Sequence, residues 1–182
     1  MNLPNILTVT RILLIPFFLN FLLYGYVRLA FFTFVAAGIT DALDGAVARF
    51  TNTKTELGAT LDPMADKLLA LAAFVALTIT GQIPLWLTIA VITRDVVIVA
   101  GSAALYFNGY NFKVRPVITG KVATFCQLTL LSLALVEPYY QLEPKLMYAL
   151  AWVTLAVTAV SGAQYVVRGF GILAKAEKNN RG

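Results

Sequence analysis

The chain is 182 residues long, 59% apolar and only 13% charged, about half the charged share of a soluble domain. One water-soluble core cannot hide that much apolar surface, so a water-soluble fold is excluded. The chain has no His and a single Cys, Cys126. That rules out His-ligated zinc, a His-based acid–base triad, Cys-cluster metal sites and an internal disulfide.

A bilayer-crossing helix needs roughly 20 mostly apolar residues. Six stretches meet that description, at about Arg11–Tyr26, Ala30–Phe50, Asp62–Thr80, Leu85–Phe107, Val117–Val136 and Leu146–Phe170. Short segments with turn chemistry separate them: Tyr24-Gly25-Tyr26, Thr51-Asn52-Thr53, Gly81-Gln82-Ile83-Pro84, Asn108-Gly109-Tyr110-Asn111 and Glu137-Pro138. The runs are continuous and show no two-residue alternation, which argues against a β-barrel. The expected fold is an all-α integral membrane protein of six transmembrane helices. Residues 1–174 are expected to form one six-helix domain, in which Met1–Thr10 leads in along the interface, and residues 175–182 a polar tail.

Lys and Arg set the orientation. One side of the membrane would receive Arg11, Arg49, Lys54, Lys113, Arg115, Lys121, Arg168, Lys175, Lys178 and Arg181, and the other only Arg28 and Lys145. Both termini are therefore expected in the cytoplasm. The net charge of +5 becomes a topology signal and an attraction to anionic lipid headgroups. Dispersed basic residues flanking membrane spans do not suit nucleic acid. The first span ends in Tyr24-Gly25-Tyr26-Val27-Arg28 without a small-x-small cleavage site, so it is expected to be retained. The absence of an Arg-rich, Ser-rich transit peptide points to a bacterial inner membrane.

Four aspartates, Asp41, Asp44, Asp62 and Asp66, cluster at or inside helix ends. An Asp near the middle of a membrane helix costs about 2.5–3.5 kcal/mol on insertion scales. Asp41 and Asp44 share one helical face, Asp62 and Asp66 share a face of the next helix, and the short segment between makes the two helices antiparallel neighbours. Lys67 and Arg49 cannot balance four anions at close range. All-oxygen ligation suits a hard divalent ion: Mg²⁺, Mn²⁺ or Ca²⁺. Two such ions about 4 Å apart would stabilise charge on both sides of a displacement at phosphorus. The plainer alternative is a set of solvated interfacial carboxylates. Gly45, Ala48 and Gly58 leave room for a bulky ligand beside the backbone, or simply allow close helix packing.

Written out, the segment is Asp41-x2-Asp44-Gly45-x2-Ala48-Arg49-x8-Gly58-x3-Asp62-x3-Asp66. It resembles the signature of the CDP-alcohol phosphotransferases, membrane enzymes that move a phosphatidyl or related group from a CDP-linked donor to an alcohol and release CMP. Pro4-Asn5-Ile6-Leu7-Thr8-x2-Arg11 and Gly120-Lys121-x2-Thr124-x2-Gln127 are similar to the phosphatidylglycerophosphate and cardiolipin synthase branches. The resemblance implies that Asp41, Asp44, Asp62 and Asp66 hold metal and that Asp66 is also the general base. It implies that Asp44, Gly45, Ala48, Arg49, Gly58 and Asp62 bind the CDP donor, with Arg49 as a bidentate phosphate ligand. It further implies two divalent ions, CDP-diacylglycerol as donor, one direct displacement and a homodimer.

The acceptor must be chosen outside the shared motif. Candidates are Arg94, with Asp95 beside it, and Lys113, Arg115 and Lys121. Arg94 stands out, because a cation within a membrane helix usually has a functional partner. Phosphatidylglycerophosphate synthases tend to carry a second Arg two turns after this one, where this chain has Ser102. The stretch from Thr93 to Ala104 looks more like the eukaryotic-type cardiolipin synthases. The expected acceptor is phosphatidylglycerol, with glycerol 3-phosphate as the alternative. From a different class, a divalent-cation transporter would also place polar residues in a helical bundle, but it usually shows internal repeats and a midplane site.

Overall fold

The computed structural model describes the backbone of residues 3–51, 56–107 and 118–180, and the side chains of residues 9–40, 67–105 and 118–171. Among these residues six α-helices follow one another: α1 Leu3–Leu23, α2 Val27–Thr51, α3 Glu56–Ile79, α4 Leu85–Phe107, α5 Ile118–Tyr140 and α6 Pro144–Asn180. No strand occurs among the described residues. Each expected span coincides with one helix, but several ends differ. The lead-in from Leu3 is already helix, because Pro4 sits in the first turn, where a missing N–H is not needed. Pro138 does not end α5 but lies in its last turn. The helix stops only at Gln141, whose φ of 46° lets its N–H reach back to the Glu137 carbonyl at 2.9 Å. The α6 helix continues to Asn180, through the segment expected as a polar tail.

Among the described residues three stretches are long and apolar enough to cross a membrane: Leu85–Leu105, Ile118–Tyr140 and Pro144–Gly171. Among the described residues of α1, α2 and α3 the apolar runs are shorter, Val9–Leu23, Val27–Thr40 and Lys67–Ile79. Large apolar side chains also point outward from these helices, Leu13, Phe17, Phe32, Phe125 and Val167 each more than half exposed. Helices apolar on the outside as well as the inside fit a membrane protein.

The chain divides into two compact units, Met1–Ile83 with Leu131–Leu142, and Pro84–Leu130 with Glu143–Gly182. In the first, α1 packs against both α2 and α3. Its core is a stripe from each helix: Phe18 and Leu22, then Ala30, Phe34 and Ala37, then Leu69, Ala73, Ala76 and Leu77. The Phe18 and Phe34 rings meet at 5.9 Å. Glycines close two of the helix ends. Gly25 (φ 81°) and Gly81 (φ 80°) occupy the left-handed position just past α1 and α3, where any side chain would be strained. The following N–H groups then bond back, Tyr26 to the Phe21 carbonyl at 2.7 Å and Gln82 to the Leu77 carbonyl at 2.9 Å, closing both helix ends. Near the Gly25 turn the Arg28 guanidinium lies over the Tyr139 ring, 5.3 Å from its centroid. Tyr24, Tyr26 and Tyr140 are exposed nearby in sequence, an aromatic grouping suited to a membrane–water boundary.

In the second unit α4 packs against α6. Trp86 stacks on Trp152 with centroids 5.0 Å apart. A polar stripe runs down α6, where Thr154, Thr158 and Ser161 are buried at helical spacing. Gln127 of α5 donates its Nε2 to Thr158 Oγ1 at 3.2 Å, and Thr119 Oγ1 donates to Gln164 Oε1 at 2.7 Å. Such bonds tie membrane helices together where apolar contact alone discriminates poorly.

Candidate active site

The four motif aspartates fall on α2 and α3 as expected, and their helical register is informative. On α2 the buried positions Ala30, Phe34 and Ala37 continue, at spacings of three and four residues, into Asp41, Asp44 and Ala48. On α3 the series Gly58, Asp62, Asp66 runs on into the buried Leu69, Ala73 and Ala76. Both acidic pairs therefore fall in helical register with the buried stripe of their own helix. The side chains of Asp41, Asp44, Gly45, Ala48, Arg49, Gly58, Asp62 and Asp66 lie outside the described residues, as do Lys113 and Arg115 altogether.

Arg11 completes this part of the structure. Among the described residues it is the largest fully buried side chain, at 0% exposure, on the same face of α1 as Phe18 and Leu22. The residue has a partner, while its Nε and Nη2 atoms make no hydrogen bond among the described residues. At 1.5 Å per residue, Arg11 stands about 18 Å back from Leu23 and Asp41 about 21 Å forward from Val27. Across the short Gly25 turn those backbone positions are nearly level. A cation with no access to water thus sits on the helix packed against both acid-bearing helices. The sequence showed Arg11 as a basic residue at the membrane edge and as the end of a family-like motif; its burial needed the fold.

Within the second unit, Arg94 is the centre of a second polar group. Its side chain is 10% exposed, and Nη1 is paired with Asp95 Oδ1 at 2.6 Å. Nη2 donates to Ser161 Oγ at 3.1 Å, and Nε is buried without a partner. Two glycines shape the space around it. A Cβ at Gly120 would stand 3.3 Å from Nη2, 3.5 Å from the Tyr165 hydroxyl and 3.6 Å from Ser161 Oγ. A Cβ at Gly162 would touch the Arg94 Cγ at 3.5 Å. Lys121, one residue beyond Gly120 in α5, is exposed. Ser102 donates to the Ile98 carbonyl of its own helix at 2.7 Å, so it turns back onto α4.

Sequence reasoning reached Arg94 and Asp95 but not Ser161 or Tyr165. A signal was present: Thr154, Thr158, Ser161 and Tyr165 repeat at intervals of four, three and four residues, a polar line along an otherwise apolar helix.

The model of the CDP-alcohol phosphatidyltransferase family matches residues 1–160. The chain belongs to this family. Among its curated relatives is the cardiolipin synthase (CMP-forming) of Rattus norvegicus, 33% identical over 178 residues, covering 89% of this chain and 59% of that protein. A probable phosphatidylglycerophosphate synthase of Mycobacterium tuberculosis is 32% identical over 173 residues, covering 92% of this chain and 81% of the relative. The CDP-diacylglycerol–glycerol-3-phosphate 3-phosphatidyltransferase of Bacillus subtilis is 31% identical over 189 residues, covering 94% and 97%. The chain thus spans about three-fifths of the mammalian relatives' length and nearly all of the Bacillus one. In this phosphatidyltransferase family the acid-bearing stretch of α2 and α3 falls wholly inside the matched residues.

Proposed function

We propose that this chain is a phospholipid-synthesising phosphatidyltransferase that transfers the phosphatidyl group of CDP-diacylglycerol to a glycerol-type hydroxyl and releases CMP. The observation that carries this reading is the register of the acids within the family match. Counted along each helix, Asp44 lies about 10 Å before Thr51 and Asp62 about 9 Å after Glu56, while Asp41 and Asp66 lie about 15 Å from those same ends. Antiparallel passage of α2 and α3, which their short connection favours, would bring the acids level in two pairs. Four carboxylates in register with two buried stripes require positive charge, and an all-oxygen donor set suits Mg²⁺ or Mn²⁺. Two such ions, when bound, would neutralise the pyrophosphate and the departing CMP. Gly45, Ala48 and Gly58 leave space for the donor, and Arg49 grips its phosphate. Asp66 takes the proton from the acceptor hydroxyl as its oxygen bonds to the phosphatidyl phosphorus and the bond to CMP breaks.

For the acceptor we favour phosphatidylglycerol. Identity does not choose, since relatives named for both reactions stand within two percentage points. The charge at Arg94 does bear on it: Asp95 already shares that cation, and no second cation stands at Ser102 two turns on. A singly charged diester suits such a pocket better than a dianionic phosphate. Arg115 and Lys121 are the remaining candidate acceptor ligands. The one-sided excess of Lys and Arg supports an active face toward the cytoplasm, and the family resemblance supports a homodimer.

The test is CMP release from CDP-diacylglycerol with Mg²⁺ or Mn²⁺ and each acceptor in matched detergent. Phosphatidylglycerol should support turnover, and activity with glycerol 3-phosphate alone would overturn the acceptor assignment. Mg²⁺ uptake into liposomes without CMP formation would overturn the enzymatic reading in favour of transport.

A further inference from the structure

The guanidinium of Arg94 is held from three helices, and each hold does something different. Asp95 is its neighbour on α4 and fixes one terminal nitrogen at 2.6 Å. A tether from the adjacent residue alone leaves the planar group free to swing. Ser161, on α6, accepts from the other terminal nitrogen at 3.1 Å, which sets the plane. Gly120, in the first turn of α5, closes the third side: the place where its Cβ would be is 3.3 Å from Nη2, so a side chain there would press on that nitrogen.

With both terminal nitrogens committed, the Nε–H remains. It is buried and has no acceptor, in a side chain nine-tenths out of solvent. A buried donor on a charged group is costly to leave unmet, and a phosphate oxygen is the acceptor that matches it in charge and geometry. The Tyr165 hydroxyl lies beside the same point, 3.5 Å from the Gly120 Cβ position, and the Ser161 hydroxyl still has its own proton to give.

We propose that Ser161 and Gly120 are positioning residues that clamp the Arg94 guanidinium so that its Nε edge is presented to the phosphate of the acceptor. This rests on the reading of Arg94 as an acceptor ligand. Either a phosphodiester or a phosphate monoester would supply the oxygen, so both phosphatidylglycerol and glycerol 3-phosphate are assayed.

The experiment measures CMP release by the full-length protein, varying acceptor and CDP-diacylglycerol separately, for S161A, G120A, R94Q and the double variant S161A/R94Q. S161A is expected to raise the KM for the working acceptor about tenfold, the range of one hydrogen bond to a charged group, with the KM for CDP-diacylglycerol unchanged. G120A, which pushes on the same nitrogen from another helix, should move the same constant. In the R94Q background S161A should add nothing, because the residue it positions is gone. R94K, which keeps the charge but loses the planar fork, serves as the background if R94Q has no measurable turnover. An unchanged acceptor KM in R94Q would remove Arg94 from the acceptor site and with it the parent reading. A raised acceptor KM in R94Q but not in S161A or G120A would sink the clamp alone. Equal rises in both KM values, or an undiminished S161A effect in the R94 variants, would show that Ser161 acts only through folding.

Discussion

Arg11 offers the sharpest test of how the first unit holds its charges. The residue is completely buried, so its charge is stabilised only by groups inside the protein. R11M keeps most of the side-chain volume and removes the charge, leaving whatever balances it stranded. Breaking a buried pair from one side costs about 3–5 kcal/mol. For a chain of this length each kcal/mol moves the midpoint by about 2–4 °C, so a fall of roughly 10 °C is expected. R11K retains the charge but has fewer donors and no planar fork, and should fall by about half as much. Cys126 is the only cysteine and is half-buried in α5, so a thiol-reactive dye reports unfolding in detergent without further labelling. By backbone height Asp41 is level with Arg11 across the Gly25 turn, so with chelator present D41N should recover part of the loss in the R11M background. A melting point for R11M within 2 °C of the parent, or no recovery with D41N, would refute the placement of Arg11 as a counter-charge to the acids.

Three further outcomes are expected. D66N should abolish CMP release while keeping most CDP-diacylglycerol binding, since the base is lost and three carboxylates remain; turnover near that of the parent would remove Asp66 from the role. Chelation should stop CMP release, and added Mg²⁺ or Mn²⁺ should restore it; full activity in chelator would end the metal-dependent account. G81A places a side chain in left-handed backbone at φ 80° and should cost about 1–2 kcal/mol, read as a lower melting point with the KM values unchanged, whereas no shift would mean that the α3 end does not need that conformation.

What was legible in the sequence was whatever depends on residues close together in the chain. Continuous apolar runs set six helices, because a helix satisfies its own backbone and needs only length and composition to be recognised. The spacings Asp41–Asp44 and Asp62–Asp66 put each pair on one face for the same local reason. The ends were less legible: Pro4 and Pro138 were expected to lie outside the helices, but a proline in the first or last turn is compatible with helix. The register joining those acids to the buried stripes could be seen only once burial showed that Ala30, Phe34 and Ala37, and Leu69, Ala73 and Ala76, face inward.

Tertiary structure alone decided which cations left water and what met them. Arg11 and Arg94 look alike in the sequence, each an arginine in or beside an apolar run. Packing buried the first entirely and gave the second a serine 67 positions away and a gap at Gly120 just wide enough for its terminal nitrogen. A hydroxyl on α6 and a missing side chain on α5 carry no mark of that purpose in one dimension. Their effect depends on three helix surfaces meeting within a few ångströms, and that distance is set by the whole unit's packing and not by any one segment.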